Sequence, residues 1–254
     1  MIADLDILTT MGNVVRVFSV SRLHRFDRFV KTASRRGIKT IPSAFLNDES
    51  QPWAADANED EITSLIHVLN TIDLSTVPFA VVGSEAIEGQ GFTAARLNRL
   101  IARVRRNVPT SVKITTAETW ANYVNHHDRL ADNVDLVFAN IYPYWENVPF
   151  NQATDFIVAK HQQLKDLYNK PVVISETGWP SAGNAPITSL KRQQTYWKRF
   201  KRAARRNRID YFGFEAFDEP WKATTGEGPV GAHWGLWRAN RAPKGDVASF
   251  DACR

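Results

Sequence analysis

Cysteine is nearly absent from this chain. The one cysteine, Cys253, sits one residue from the end of the 254-residue sequence, so no internal disulfide and no cysteine-based metal site is expected. Long apolar runs are missing too: none approaches the roughly 20 residues of a membrane-spanning helix. The opening stretch MIADLDILTTMGNVVRVFSV carries acids where an export signal has a basic start and an apolar middle. Neither a membrane span nor a signal peptide is read here. No glycine-rich fingerprint follows any candidate strand, which argues against a dinucleotide-binding sheet. Of six histidines only His126 and His127 are adjacent, and neighbours diverge by about 100° on a helix or point to opposite faces of a strand. Neither a metal nor a cofactor is expected.

What is present is a rhythm. With 43% hydrophobic side chains the chain can bury a core of barrel size. Short β-branched runs recur at Val14–Phe18, Ile38–Pro42, Phe79–Val82, Val112–Thr115, Leu136–Asn140, Val172–Ser175 and Tyr211–Phe214. Between them lie charged segments of helical spacing. Leu97, Leu100, Ile101 and Val104 form one stripe, and Ile157, His161, Leu164 and Tyr168 form another. Buried strands alternating with amphipathic helices imply parallel βαβ units, and a count near eight at this length favours a (β/α)8 TIM barrel, read as a single domain over 1–254.

Basic residues exceed acids, 32 to 27. The pairs Arg35-Arg36, Arg105-Arg106 and Arg205-Arg206 each end a helical pattern just before a strand, where cations complement the helix dipole. No aromatic residues are interleaved with them, so a nucleic-acid partner is not expected.

Acids and aromatics gather instead where the strands end: Glu85; Glu118 and Trp120; Tyr142, Tyr144 and Trp145; Glu176 and Trp179; Asp218, Glu219, Trp221 and Lys222. Half of the eight tryptophans fall here, and their coincidence on successive strands outweighs the packing role that each alone suggests. Such a barrel mouth suits a sugar, with carboxylates for acid, base and nucleophile work and flat rings for pyranose faces. Glu85 follows the third run and Glu176 the sixth. With one further strand ahead of these seven, the two would end strands 4 and 7 and could flank a glycosidic bond. A separation of about 5 Å gives a retaining enzyme and about 6.5–9.5 Å an inverting one; the residues alone leave both open, as they leave open a salt bridge from either glutamate to Arg16.

The string VVISETGWPSAG (172–183) resembles the signature of glycoside hydrolase family 17, the β-1,3-glucanases and β-1,3-glucanosyltransferases. VVGSEA, TAETW, NIYPYW and FEAFDEPWK are similar to further blocks of that family in the same order. The resemblance implies a (β/α)8 barrel, a retaining mechanism and a β-1,3-glucan substrate, with an extracellular, cell-wall or periplasmic location. It implies Glu176 as the nucleophile, Glu85 as the acid/base, and Tyr142, Glu219 and Lys222 as substrate contacts, beside Ser84, Glu118, Trp145, Trp179 and Trp221. The negative charge of Glu176 would favour a protonated Glu85 until the glycosyl ester forms.

The chain departs from the family pattern in two places. Ser84 stands where the family has Asn, a residue expected to hydrogen-bond the sugar 2-hydroxyl, so slower turnover is expected. The family's opening strand is not found ahead of Met1–Leu8, which leaves seven strands and a gap flanked by Val14–Phe18 and Tyr211–Phe214. The tail VASFDACR has too few strand-like residues to fill it. Three functions follow as expectations: a glucan hydrolase, a glucanosyltransferase with the same residues, and a catalytically weak glucan-binding barrel.

Overall fold

All seven apolar runs become strands in the computed structural model, which describes residues 1–21 and 25–245. In chain order the described elements are α1 (Ile2–Leu8), β1 (Val14–Val17), α2 (Phe26–Ser34), β2 (Lys39–Ala44), α3 (Ala54–Thr71), β3 (Ala80–Ser84), α4 (Ala86–Gly89), α5 (Ala94–Arg106), β4 (Ile114–Thr119), α6 (Trp120–Asn125), α7 (His127–Leu130), β5 (Val137–Asn140), α8 (Ala153–Leu167), β6 (Val172–Thr177), α9 (Leu190–Asn207) and β7 (Asp210–Gly213). Strand order follows chain order, with β1 and β7 at its two ends. That is the open order expected of strands 2 to 8 of an eight-stranded barrel. The tail VASFDACR lies outside the described residues.

The chain divides into two compact units, Met1–Ala139 with Leu164–Val172, and Asn140–Gln163 with the residues from Val173 onward. In the first unit β1 pairs with β2 from Val14↔Lys39 to Val17↔Pro42, and β2 with β3 at Ser43↔Val81 and Ala44↔Val82. β3 pairs with β4 at Ala80↔Ile114 and Val81↔Thr115, and all three pairings are parallel. β3 is buried along its whole length, which is why its sequence is a continuous apolar run without polar alternation. α5 begins at Thr93, whose hydroxyl accepts the Arg96 N–H at 3.1 Å. Its predicted stripe, Leu97, Leu100, Ile101 and Val104, is buried.

The second unit has an aromatic core. β6 and β7 pair in parallel, Ile174 opposite Tyr211, and α9 lays Tyr196, Trp197 and Phe200 onto them, with the Phe200 and Tyr211 rings 4.7 Å apart edge to face. Ser189 caps α9 by accepting the Arg192 N–H at 3.1 Å.

All three arginine pairs end helices, as their sequence context predicts. Arg35 is the C-cap of α2, Arg105 and Arg106 close α5, and Arg205 and Arg206 close α9. Arg36 meets Asp6 at 2.6 Å and Arg105 meets Asp135 at 2.9 Å. Four strands run further than predicted: β2 to Ala44, β3 to Ser84, β4 through Glu118 to Thr119, and β6 through Glu176 to Thr177. A reading that ends strands at the first acid stops too early here, because these carboxylates belong to the strands themselves.

Candidate active site

In the first unit, the end of β3 is shaped for one sharp turn. The register of β3 against β4 shifts between Val81 and Ser84, and such irregularities re-aim side chains. Gly83 lies within it at φ +84°, where an added Cβ would press on Leu97, Ala86 and Leu46 at 3.2–3.3 Å. Ser84 closes the strand and is buried. Glu85 follows in the left-handed region at φ 50°, ψ 38°, with its N–H donated to Ala117 O at 2.7 Å. A non-glycine residue there costs roughly 1–3 kcal/mol, and such strain persists where the surroundings hold it.

Glu118 supplies part of that hold. Expected among the sugar contacts, it is instead closed to solvent. Its carboxyl accepts the N–H of Ile87 at 3.0 Å and the Nδ2 of Asn122 at 3.3 Å, so it fixes the first turn of α4 immediately after Glu85. Burial pushes its pKa up to about 7, with the charge of Glu85 adding to the rise and the bonds from Ile87 and Asn122 opposing it.

In the second unit, Glu176 occupies the penultimate position of β6 and is largely buried. The Tyr142 hydroxyl donates to its Oε2 at 2.8 Å, and its backbone carbonyl accepts the Ile141 N–H at 3.0 Å. The β6–β7 register shifts between Ile174 and Thr177, so this glutamate lies within an irregularity of its ladder, whereas Glu85 comes just after one. Gly178 is needed for close approach rather than for a left-handed turn. An added Cβ there would lie 2.4 Å from the Phe214 carbonyl oxygen and 3.2 Å from the Trp234 ring.

Trp234 ties the aromatic wall together. Fully buried, it contacts the rings of Tyr142 (5.3 Å between centroids), Tyr144 (5.7 Å) and Trp145 (5.6 Å) and donates its indole N–H to Glu227 at 3.1 Å. Trp145 and Trp221 are exposed. Trp179 is not. Its indole donates to Ile187 O and packs on Tyr144, Phe150 and Tyr196, so it stiffens the aromatic cluster from within.

Lys222 stands between two carboxylates, 2.7 Å from Glu215 and 2.6 Å from Glu219, with its ammonium 4.5 Å over the Phe214 ring. Burial alone would lower its pKa, but the two glutamates outweigh it and hold it above the ordinary lysine value. Burial pushes the Glu215 carboxyl upward, against the pull of Lys222. Asp218 is engaged elsewhere, paired with Lys244 at 2.5 Å in a nearly dry contact.

Sequence reasoning missed Glu215, Glu227 and Trp234. Glu215 lies inside the quoted block FEAFDEPWK, and its nearness to Lys222 follows from a turn that no periodicity announces. Trp234 and Glu227 belong to the irregular segment after β7, around the 3-10 turn Gly228–His233.

The glucan 1,3-beta-glucosidase BGL2 of Candida albicans is 27% identical to this chain over 263 residues, covering 95% of this chain and 83% of that protein. The glucan endo-1,3-beta-glucosidase btgC of Emericella nidulans is 25% identical over 272 residues, 94% of this chain and 40% of its own length. Among solved structures, the glycoside hydrolase family 17 β-1,3-glucanosyltransferase of Rhizomucor miehei superposes with a TM-score of 0.83 at 27% identity, covering 96% of this chain and 88% of that one. An active-site mutant of that enzyme, in complex with laminaritriose, matches with the same score. The model of the BtgE/BtgC glycoside hydrolase domain matches residues 1–235. This chain, with its parallel strands in barrel order and its acids at the strand ends, belongs to the BtgE/BtgC glycoside hydrolase domain family, within glycoside hydrolase family 17.

Proposed function

We propose that this chain cleaves β-1,3-glucan by double displacement, with Glu176 as the nucleophile and Glu85 as the acid/base, residues 1–254 acting as one catalytic domain. In the first step a Glu176 oxygen attacks the anomeric carbon, the glycosidic C–O bond breaks, and Glu85 gives its proton to the leaving oxygen. In the second, Glu85 takes a proton from water, the water oxygen attacks the same carbon, and the Glu176 carboxylate is released. The observation that carries this reading is the Tyr142–Glu176 hydrogen bond at 2.8 Å. A phenol donating to a strand-borne carboxylate fixes the direction from which it attacks.

Trp145, Trp221, Glu219 and Lys222 serve as substrate contacts in this reading, with Ser84 beside the acid/base. Glu118 and Trp179 hold the site from behind. The place of work is outside the cell, in a wall or periplasm where such a polymer lies; no helix of the described residues is long and apolar enough to cross a membrane.

A second reading is favoured by the Rhizomucor miehei glucanosyltransferase, which superposes with a TM-score of 0.83 at 27% identity. In it a sugar hydroxyl replaces water in the second step, and mass spectrometry shows products longer than the substrate. Glu176→Gln tests the shared chemistry. The amide is nearly isosteric but forms no ester, so turnover of laminarin-type oligosaccharides is abolished while binding persists. Activity within about tenfold of the parent contradicts the assignment. Binding without turnover by the parent identifies a catalytically weak glucan-binding barrel instead.

A further inference from the structure

The positive charge of this chain is concentrated in one helix. α9 holds eight of the 32 lysines and arginines and none of the 27 acids; without it the chain has 24 cations against 27 acids, and its net charge changes from +5 to −3. The buried side of α9 consists of Gln193, Tyr196, Trp197, Phe200, Ala203 and Ala204. On the opposite side Lys191, Lys198, Arg202 and Arg205 are all exposed. Their spacing, seven, four and three residues apart, aligns them in one stripe about 21 Å long at 1.5 Å per residue.

Helix capping does not account for this stripe. Arg205 and Arg206 complement the C-terminal end of the dipole, but Lys191 lies in the first turn, where a cation is unfavourable, and Lys198 and Arg202 lie midway. Lys198 and Arg202 are four residues apart, and Arg202 and Arg205 three, so like charges repel along the stripe. Ion pairing does not account for it either. α5 is also rich in arginine, yet Arg96, Arg103 and Arg105 meet Glu49, Glu59 and Asp135. Among the described residues Lys191, Lys198, Arg202 and Arg205 form no ion pair.

We propose that the outer face of α9 binds an anionic polysaccharide, a glycan with carboxylate or phosphodiester groups repeated along the chain. A linear array of cations suits a linear array of anions, and binding relieves the repulsion along the stripe. The helix offers no apolar side to a membrane, because its aromatic residues are buried in the core. The same burial leaves no exposed ring among the cations to stack a nucleic-acid base. The surface includes none of the residues assigned to glucan cleavage, and its function would be to hold the enzyme on a charged glycan matrix while it acts on a neutral one.

The test uses the whole chain and a variant, K191Q/K198Q/R202Q/R205Q, which keeps good helix formers at all four positions. The probes are polygalacturonate, neutral dextran, duplex DNA and phosphatidylserine vesicles. The parent binds polygalacturonate at low salt, binding weakens steadily as salt is raised, and dextran is ignored. The variant binds polygalacturonate about tenfold or more weakly, and R202E alone shows a smaller loss in the same direction. Variant binding equal to the parent's, or parent binding tighter to DNA or vesicles than to polygalacturonate, overturns the proposal. Cleavage of neutral laminarin-type oligosaccharides is unchanged in the variant; a parent without that activity refutes the catalytic reading and leaves the binding result standing.

Discussion

Replacing Glu118 by glutamine removes a buried acid whose proton is linked to folding. Its carboxyl has an ordinary value of 4.5 and a folded value of about 7, raised chiefly by burial. Between those values the folded chain keeps a proton that the unfolded chain has released. The stabilisation is therefore complete below about pH 4.5 and is lost as pH rises through 7. Some 2.5 pH units at about 1.36 kcal/mol each give a loss of about 3 kcal/mol across the window. The amide does not titrate, and its oxygen can still accept the Ile87 N–H. Urea unfolding of the parent and Glu118→Gln, followed by tryptophan fluorescence from pH 4.5 to 8, gives the comparison. The parent loses stability relative to the variant by about 3 kcal/mol as pH rises. Parallel curves across the window refute the reasoning, because they mean that Glu118 titrates alike in both states.

Glu85→Ala spares glycosylation by substrates with a good leaving group, and added azide restores the second step; equal loss on all substrates, with no azide effect, tells against the acid/base role. Gly178→Ala forces a methyl group to within 2.4 Å of the Phe214 carbonyl oxygen and lowers stability by roughly 1–3 kcal/mol; an unchanged denaturation midpoint contradicts the close-approach reading.

The strands were the most legible part of the chain, for a physical reason. A parallel strand buried on both faces needs an unbroken β-branched run, so Val172–Ile174 and Ala80–Val82 announce themselves. The arginine pairs were equally readable, because a helix end attracts cations wherever it lies. The ends of the strands were less clear. Glu118 and Glu176 look like loop residues by polarity, yet both are strand residues held by specific donors, Ile87 and Asn122 for one and Tyr142 for the other. The aromatic cluster was half visible. Trp145 and Trp221 are exposed, but the burial of Trp179 depends on Phe150 and Tyr196, packing that sequence spacing does not encode. Trp234 and Glu227 follow the last strand in a segment without periodicity.

The central claim is a double displacement through a glycosyl ester on Glu176, and the stereochemistry of the first product tests it most directly. Proton NMR during hydrolysis of a laminarin-type oligosaccharide, recorded before mutarotation, shows which anomer is released. Two inversions at the same carbon return the β-anomer first. Initial release of the α-anomer contradicts the account, since it requires a single displacement by water and leaves Glu176 no role as a nucleophile.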